Sequence, residues 1–237
     1  MKLESPLKSG ILLQRYKRFL ADVKLSSSDV ITIHCPNTGS MKNCKEPGSK
    51  VWYTTSENKK RKYPHTWQFI EVNENDLVGI NTSLSNKLVV EAIQSGIINE
   101  LQNYQQLKTE VPYGDQNSRI DVLLSDGDED LCFVEVKNVS LGMEAGLGLF
   151  PDAVTTRGQK HLEELMLMKK SGARAVLFFC VQHTGIEQVS PADDIDPAYG
   201  SLLREAIDKG VEVIAYGTEI NLKKSTVTLN KIIPIVL

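Results

Sequence analysis

Between residues 19 and 82 the apolar positions come in short runs, and none of them keeps a helical period. Phe19–Leu25, Val30–His34, Lys50–Thr55, Trp67–Val72 and Leu77–Thr82 have the length and residue types of strands. They are separated by turn chemistry at Ser26-Ser27-Ser28-Asp29, Pro36-Asn37-Thr38-Gly39 and the stretch from Glu57 to Pro64. Five short strands in so short a segment predict a small β-barrel. Among small barrels the OB type fits the strand count and commonly presents one face to nucleic acid.

After Asn81 the pattern changes. Leu88, Val89, Ala92, Ile93, Ile97, Leu101 and Tyr104 recur at helical spacing, which predicts a helix capped near Ser85-Asn86 and running to about Leu107. Three strands follow, Thr109–Tyr113, Arg119–Leu124 and Leu131–Val139, with hairpin signals at Gly114-Asp115-Gln116-Asn117 and Asp126-Gly127-Asp128. A second helix is predicted from Thr155-Thr156 to Lys170, stopping before Gly172, and then an apolar strand Ala175–Val181. A helix Pro197–Lys209 and strands Val211–Tyr216 and Thr226–Leu229 complete the chain. The expected fold class is therefore mixed α/β, with an OB-like barrel over 1–82 and a larger α/β domain over 83–237.

No run approaches the roughly 20 apolar residues that span a bilayer, and the apolar stretch Ile11-Leu12-Leu13 is cut by Gln14-Arg15. The expectation is a soluble, unprocessed chain with no membrane partner. Cys35, Cys44, Cys132 and Cys180 form no C-x-x-C pair, which fits a reducing cytoplasm. The net charge of −3 argues against a nucleic-acid partner until the chain is divided: residues 1–80 carry 13 Lys/Arg against 8 Asp/Glu, and the remainder 14 against 22. Because salt screens charge beyond about 10 Å, the basic portion can bind a polyanion locally.

Alternation within the strands isolates the candidate chemistry. Ile120, Val122 and Leu124 alternate with Asp121, and Cys132, Val134 and Val136 alternate with Glu135 and Lys137. Two acids and a lysine should thus project from neighbouring antiparallel strands to one side. Charges inside apolar strands are costly unless paired or metal-bound. Paired carboxylates suit Mg²⁺ or Mn²⁺, which polarises a phosphoryl oxygen, and an adjacent lysine can orient or deprotonate the attacking water. A salt-bridge cluster on an exposed sheet face is the bland alternative.

Asp121 followed by Glu135-Val136-Lys137 resembles the D…(D/E)-x-K signature of restriction-endonuclease-like nucleases, set in their order of helix, three strands, helix and strand. A fuller resemblance rests on Arg15–Val23, Cys35–Met41, Ser118–Asp121, Phe133–Val139 and Phe150–Gly158. Together these segments are similar to the bacterial sugar fermentation stimulation protein A family. That resemblance implies an OB-like domain, a nuclease-like domain, non-specific DNA binding and a regulatory role in sugar (maltose) metabolism.

Further residues extend the expected site. Asp121 and Glu135, the backbone carbonyl of Val136, and Glu91 on the first helix of the nuclease-like unit are the candidate metal ligands. Arg15, Lys17 and Arg18 with Tyr16 and Phe19, Lys60 and Arg61 within Lys59–Tyr63, and Arg157 at a helix start are candidate nucleic-acid contacts, with Lys160 and His161 weaker ones. Trp52 and Trp67 are expected in the core. His34, Cys35, Cys44 and His65 match no common zinc spacing. The expected function is DNA binding with little sequence preference over a metal-binding nuclease-type site. An active Mg²⁺-dependent phosphodiesterase and an RNA-processing factor are the alternatives, and oligomeric state, a homodimer included, is left open.

Overall fold

The computed structural model describes residues 1–115, 118–127 and 131–237. The two hairpin signals therefore fall partly outside the described residues, at Gln116-Asn117 and Asp128. The first 80 residues form β1 (Lys8–Tyr16), β2 (Leu20–Lys24), β3 (Val30–His34), β4 (Lys50–Thr55), β5 (His65–Val72) and β6 (Asp76–Gly79) in the order β3-β2-β1-β4-β5-β6. Pairing of His34 with Thr66 joins β3 to β5 and closes five strands into the barrel, with β6 appended to β5. Leu12, Val23, Ile33, Val51, Trp67 and Ile70 fill its core.

One of the ring strands, β1, is absent from the sequence prediction. Only Leu12 of Ile11-Leu12-Leu13 is buried, while Ile11 and Leu13 are each 40% exposed, so the run that looked interrupted is a strand with one inward side chain per pair.

The second sheet has the order β15-β14-β12-β9-β8-β7, built from β7 (Tyr104–Tyr113), β8 (Ser118–Gly127), β9 (Leu131–Val139), β12 (Arg174–Val181), β14 (Glu212–Asn221) and β15 (Thr226–Ile232). The meander β7-β8-β9 is antiparallel. Helices α2 (Thr156–Lys170) and α3 (Pro197–Asp208) then cross over to give the parallel strands β12 and β14. Helix α1 (Leu84–Gln94) covers one face with Leu88, Val89 and Ala92 against Val122, Val134 and Phe178; α2 and α3 cover the other with Leu162, Leu165 and Leu203 against Leu177 and Phe179. Three short strands, β10 (Leu141–Gly142), β11 (Leu147–Phe150) and β13 (Gln188–Pro191), form a separate small sheet.

Helix α1 is shorter than its periodicity suggested. Its chain turns at Ser95-Gly96, where Gly96 has φ of 75°, and Tyr104 and Leu107 belong to β7 instead. Among the described residues no helix is long and apolar enough to cross a membrane.

Barrel and sheet are in direct contact. Trp52 and Phe69 reach the core under α1, and Gly79 donates its N–H to the Gln182 carbonyl at 2.7 Å. A Cβ at residue 79 would lie 2.6 Å from Gln182 Oε1, so this approach needs glycine. The Cys35–Met41 segment docks through Ser40 Oγ and the Met41 N–H, both donating to the Asp152 carboxylate at 2.8 and 3.2 Å. The first residues lie along β15, with Leu3 N–H donating to the Ser225 carbonyl at 2.9 Å.

Candidate metal and nucleic-acid site

Asp121 sits where the sheet is irregular. In the register of β7 and β8 it faces Glu110, whose φ of 55° breaks the extended backbone. On one side of this point Val122 and Leu124 pack under α1, while Ile120 packs on the α2 side. The expectation that Ile120, Val122 and Leu124 share one face is therefore corrected by this local twist. The ladder between β8 and β9 runs from Ser125–Leu131 to Val122–Val134. Beyond it, Val136 N–H donates to Asp121 Oδ2 at 2.7 Å, so a carboxylate takes the place of a ladder carbonyl. Asn86 of α1 donates to Oδ1 at 2.7 Å.

Glu135, on the α2 side of β9, is 2% exposed. Lys137 Nζ donates to its Oε1 at 2.6 Å, and His161 Nδ1 contacts the same oxygen and lies 3.0 Å from Lys137 Nζ. Arg157, one turn earlier on α2, places Nε 3.4 Å from His161 Nε2. Glu135 Oε2 is buried and has no hydrogen-bond partner, and the buried hydroxyls of Tyr113 and Tyr199 have none either.

Burial pushes the Asp121 carboxyl up to about 6, with the Glu135 charge adding to the rise against the Val136 amide, Asn86 and Lys137. Burial also pushes Glu135 up, but His161 and Lys137 outweigh it and leave that carboxyl below its usual value. Burial and the charges of Glu135, Glu164 and Asp121 hold Tyr113 neutral. The arrangement is thus a pair of acids in which the second is held below its usual value and the first stays raised despite its two donors.

These residues fit a hard divalent cation. Mg²⁺ is commonly held by one or two carboxylates, the rest of its shell being water and substrate phosphate. A buried carboxylate oxygen without a partner asks for such an occupant. Among the described residues no group of three His, Cys, Asp or Glu forms a cage, so the protein's carboxylate contribution is the pair alone. Glu91 is not brought to it. Its carboxylate contacts the Met1 amino group and is 47% exposed, and the α1 residue that touches Asp121 is Asn86.

The expected nucleic-acid contacts divide. Lys17, Arg18 and Lys60 are exposed on barrel turns, as is Arg61, whose Nη2 donates to Thr66 Oγ1 at 3.3 Å. Arg157 is exposed beside the acid pair. Arg15 is committed within the protein: its Nη2 donates to the carbonyls of Arg18, Asn37 and Gly39 at 2.8, 2.9 and 3.1 Å. Trp67 is fully buried and Trp52 nearly so; Cys35 and Cys44 are free thiols in the barrel core.

Comparison with known proteins agrees with this architecture. The family model described as SfsA N-terminal OB domain matches residues 13–80, and that described as Sugar fermentation stimulation protein RE domain matches residues 83–224. The chain belongs to the sugar fermentation stimulation protein family. A relative named sugar fermentation stimulation protein homolog, from Shewanella halifaxensis, is 57% identical over 216 residues, covering 91% of this chain and 92% of its own. One of the same name from Teredinibacter turnerae is 54% identical over the full length of both chains. The structure of Pyrococcus furiosus SfsA in complex with Ca²⁺ is similar to this one, with a TM-score of 0.88, 26% identity, and coverage of 100% of this chain and 98% of that one. The OB barrel followed by a restriction-endonuclease-like α/β domain is thus the fold of the family.

Proposed function

We propose that this protein binds DNA with little sequence preference and sets backbone phosphates against a divalent cation, Mg²⁺ or Mn²⁺, held by Asp121, Glu135 and the Val136 carbonyl. The observation that carries this reading is the Glu135 carboxylate, buried with one oxygen unpartnered beside Asp121. The Ca²⁺ of the similar Pyrococcus furiosus structure supports a divalent ion in this family. When bound, the cation supplies Lewis-acid polarisation of a phosphoryl oxygen. Asn86 and the Val136 amide orient Asp121, and Arg157 offers an exposed guanidinium at the start of α2. Lys17, Arg18 and Lys60 supply phosphate contacts from the barrel, which favours backbone tracking over base readout. A regulatory role in sugar metabolism would use this binding.

A second reading, hydrolysis of the phosphodiester, is favoured by Lys137. Its ammonium is fixed between Glu135 and His161 at the edge of the acid pair, where it can position a water with an N–H of Nζ. The test is wild type against Lys137→Ala on labelled single- and double-stranded DNA, with EDTA or Mn²⁺, and RNA as competitor. Hydrolysis predicts Mn²⁺-dependent cleavage by wild type alone, with equal DNA affinity in EDTA. Equal cleavage by both proteins leaves binding as the function, and preferential displacement by RNA points to RNA processing.

A further inference from the structure

A cavity of about 270 Å³ lies at the junction of barrel and sheet. His34, Arg61 and Gln68 line it from the barrel, Asn81 from the connection to α1, Lys87 from α1 itself, and Lys2 from the segment along β15. Three side-chain cations, Lys2, Arg61 and Lys87, face it against one acid, Glu4. A second groove of about 620 Å³ shares Met1, Ser83 and Lys87 with the first and contains Asn86, the residue whose amide holds Asp121. The acids Glu91 and Glu110 line this second groove. The two share part of their lining and lead from cations at the barrel end to Asn86 and Glu110, the neighbours of Asp121.

We infer that this junction is a subsite for single-stranded polynucleotide, with a backbone phosphate between Arg61 and Lys87 and the strand running along α1 toward Asp121. The inference rests on the reading that phosphodiesters meet the acid pair, and it adds strandedness and a route. Size decides against a duplex, because the cavity lies below the range of about 300–1,000 Å³ typical of small-ligand sites. A single nucleotide unit is the matching scale. The polar lining is suited to it as well. Arg61 has one hydrogen bond, to Thr66, of the five its guanidinium can donate. His34 Nδ1 is buried without a partner, and His34 and Pro36 both line the cavity. Lys87 and Arg61 are both exposed, so neither holds the fold.

The test uses the full chain and the double variant Arg61→Ala/Lys87→Ala in EDTA, with thermal melts to confirm folding. Binding to labelled oligo(dT) and oligo(U), each about 15 nucleotides to match an OB-scale site, and to a hairpin duplex is followed by anisotropy over a salt series. The variant should lose at least tenfold in single-strand affinity, with the log–log salt slope smaller by about 1.4 for two lost contacts. The single-strand loss should exceed any duplex loss at least fivefold, and the more weakened of oligo(dT) and oligo(U) identifies the natural strand. Unchanged single-strand binding, or equal losses on single strand and duplex, overturns the subsite. Failure of the wild-type chain to bind any of the three overturns the nucleic-acid reading itself.

Discussion

Replacing Asp196 tests whether α2 is held in place from outside the acid pair. Asp196 is 2% exposed and caps α3 by accepting from the Tyr199 N–H at 3.0 Å. The same carboxylate accepts from the Thr155 N–H at 2.8 Å and from Gln159 Nε2 at 3.0 and 3.2 Å, tying down the start of α2, which carries Arg157 and His161 to Glu135. Asp196→Ala removes a cap worth about 0.5–2 kcal/mol and leaves backbone donors without partners at about 1–3 kcal/mol each. The losses are not additive, and about 3 kcal/mol is expected in all. At roughly 2–4 °C per kcal/mol for a chain of this size the melting temperature should fall by about 10 °C. Asp196→Asn keeps an acceptor oxygen and should cost about 1 kcal/mol. Urea melts of the three proteins make the comparison. An alanine variant within about 0.5 kcal/mol of wild type, or an asparagine variant as unstable as alanine, refutes the assignment.

Arg15→Ala should destabilise by about 1–3 kcal/mol because its guanidinium holds three carbonyls around the Asn37 turn, whereas Lys17→Ala/Arg18→Ala should leave the melt unchanged and reduce the salt slope of DNA binding. The His183 imidazole is buried and its Nδ1 accepts from the Gly185 N–H at 3.1 Å; burial holds its pKa below the usual value, partly opposed by Asp76. The unfolded chain therefore binds a proton at a pH where the folded chain does not, so stability is lost as pH falls from about 6.5 toward the lowered folded value. Relative to His183→Gln, wild type should lose stability over that window in urea melts at stepped pH, and parallel profiles would contradict this.

The legible part of the fold followed from periodicities that burial enforces on both sides of an element. Strand β9 and helix α2 lie where alternation and the Thr155 cap put them, since each packs a full apolar face. Strand β1 was hidden because its outward residues Ile11 and Leu13 are also apolar, which erases alternation. Helix α1 was overextended because Leu101 is buried in the same core as the helix and Tyr104 packs against it, from beyond the Gly96 turn. For the site, strand spacing was enough to bring Asp121, Glu135 and Lys137 to one region. The helical partners Asn86 and His161 arrive through tertiary packing. A histidine on the buried face of α2, beside Gly158, Leu162 and Leu165, was the available signal for the second. Glu91 failed because its carboxylate is taken by the Met1 amino group, and Arg15 because sequence cannot show whether a cation faces solvent or its own loop.

The central claim is that Asp121 and Glu135 hold one divalent cation, and calorimetric titration with Ca²⁺ tests it most directly, free of any turnover. Wild type should bind Ca²⁺ at one site and be stabilised by it, by about 2.7 kcal/mol at 100-fold the dissociation constant. Glu135→Gln and Asp121→Asn should each abolish the heat and the stabilisation while remaining folded in EDTA. Equal Ca²⁺ binding by wild type and both variants would contradict the account.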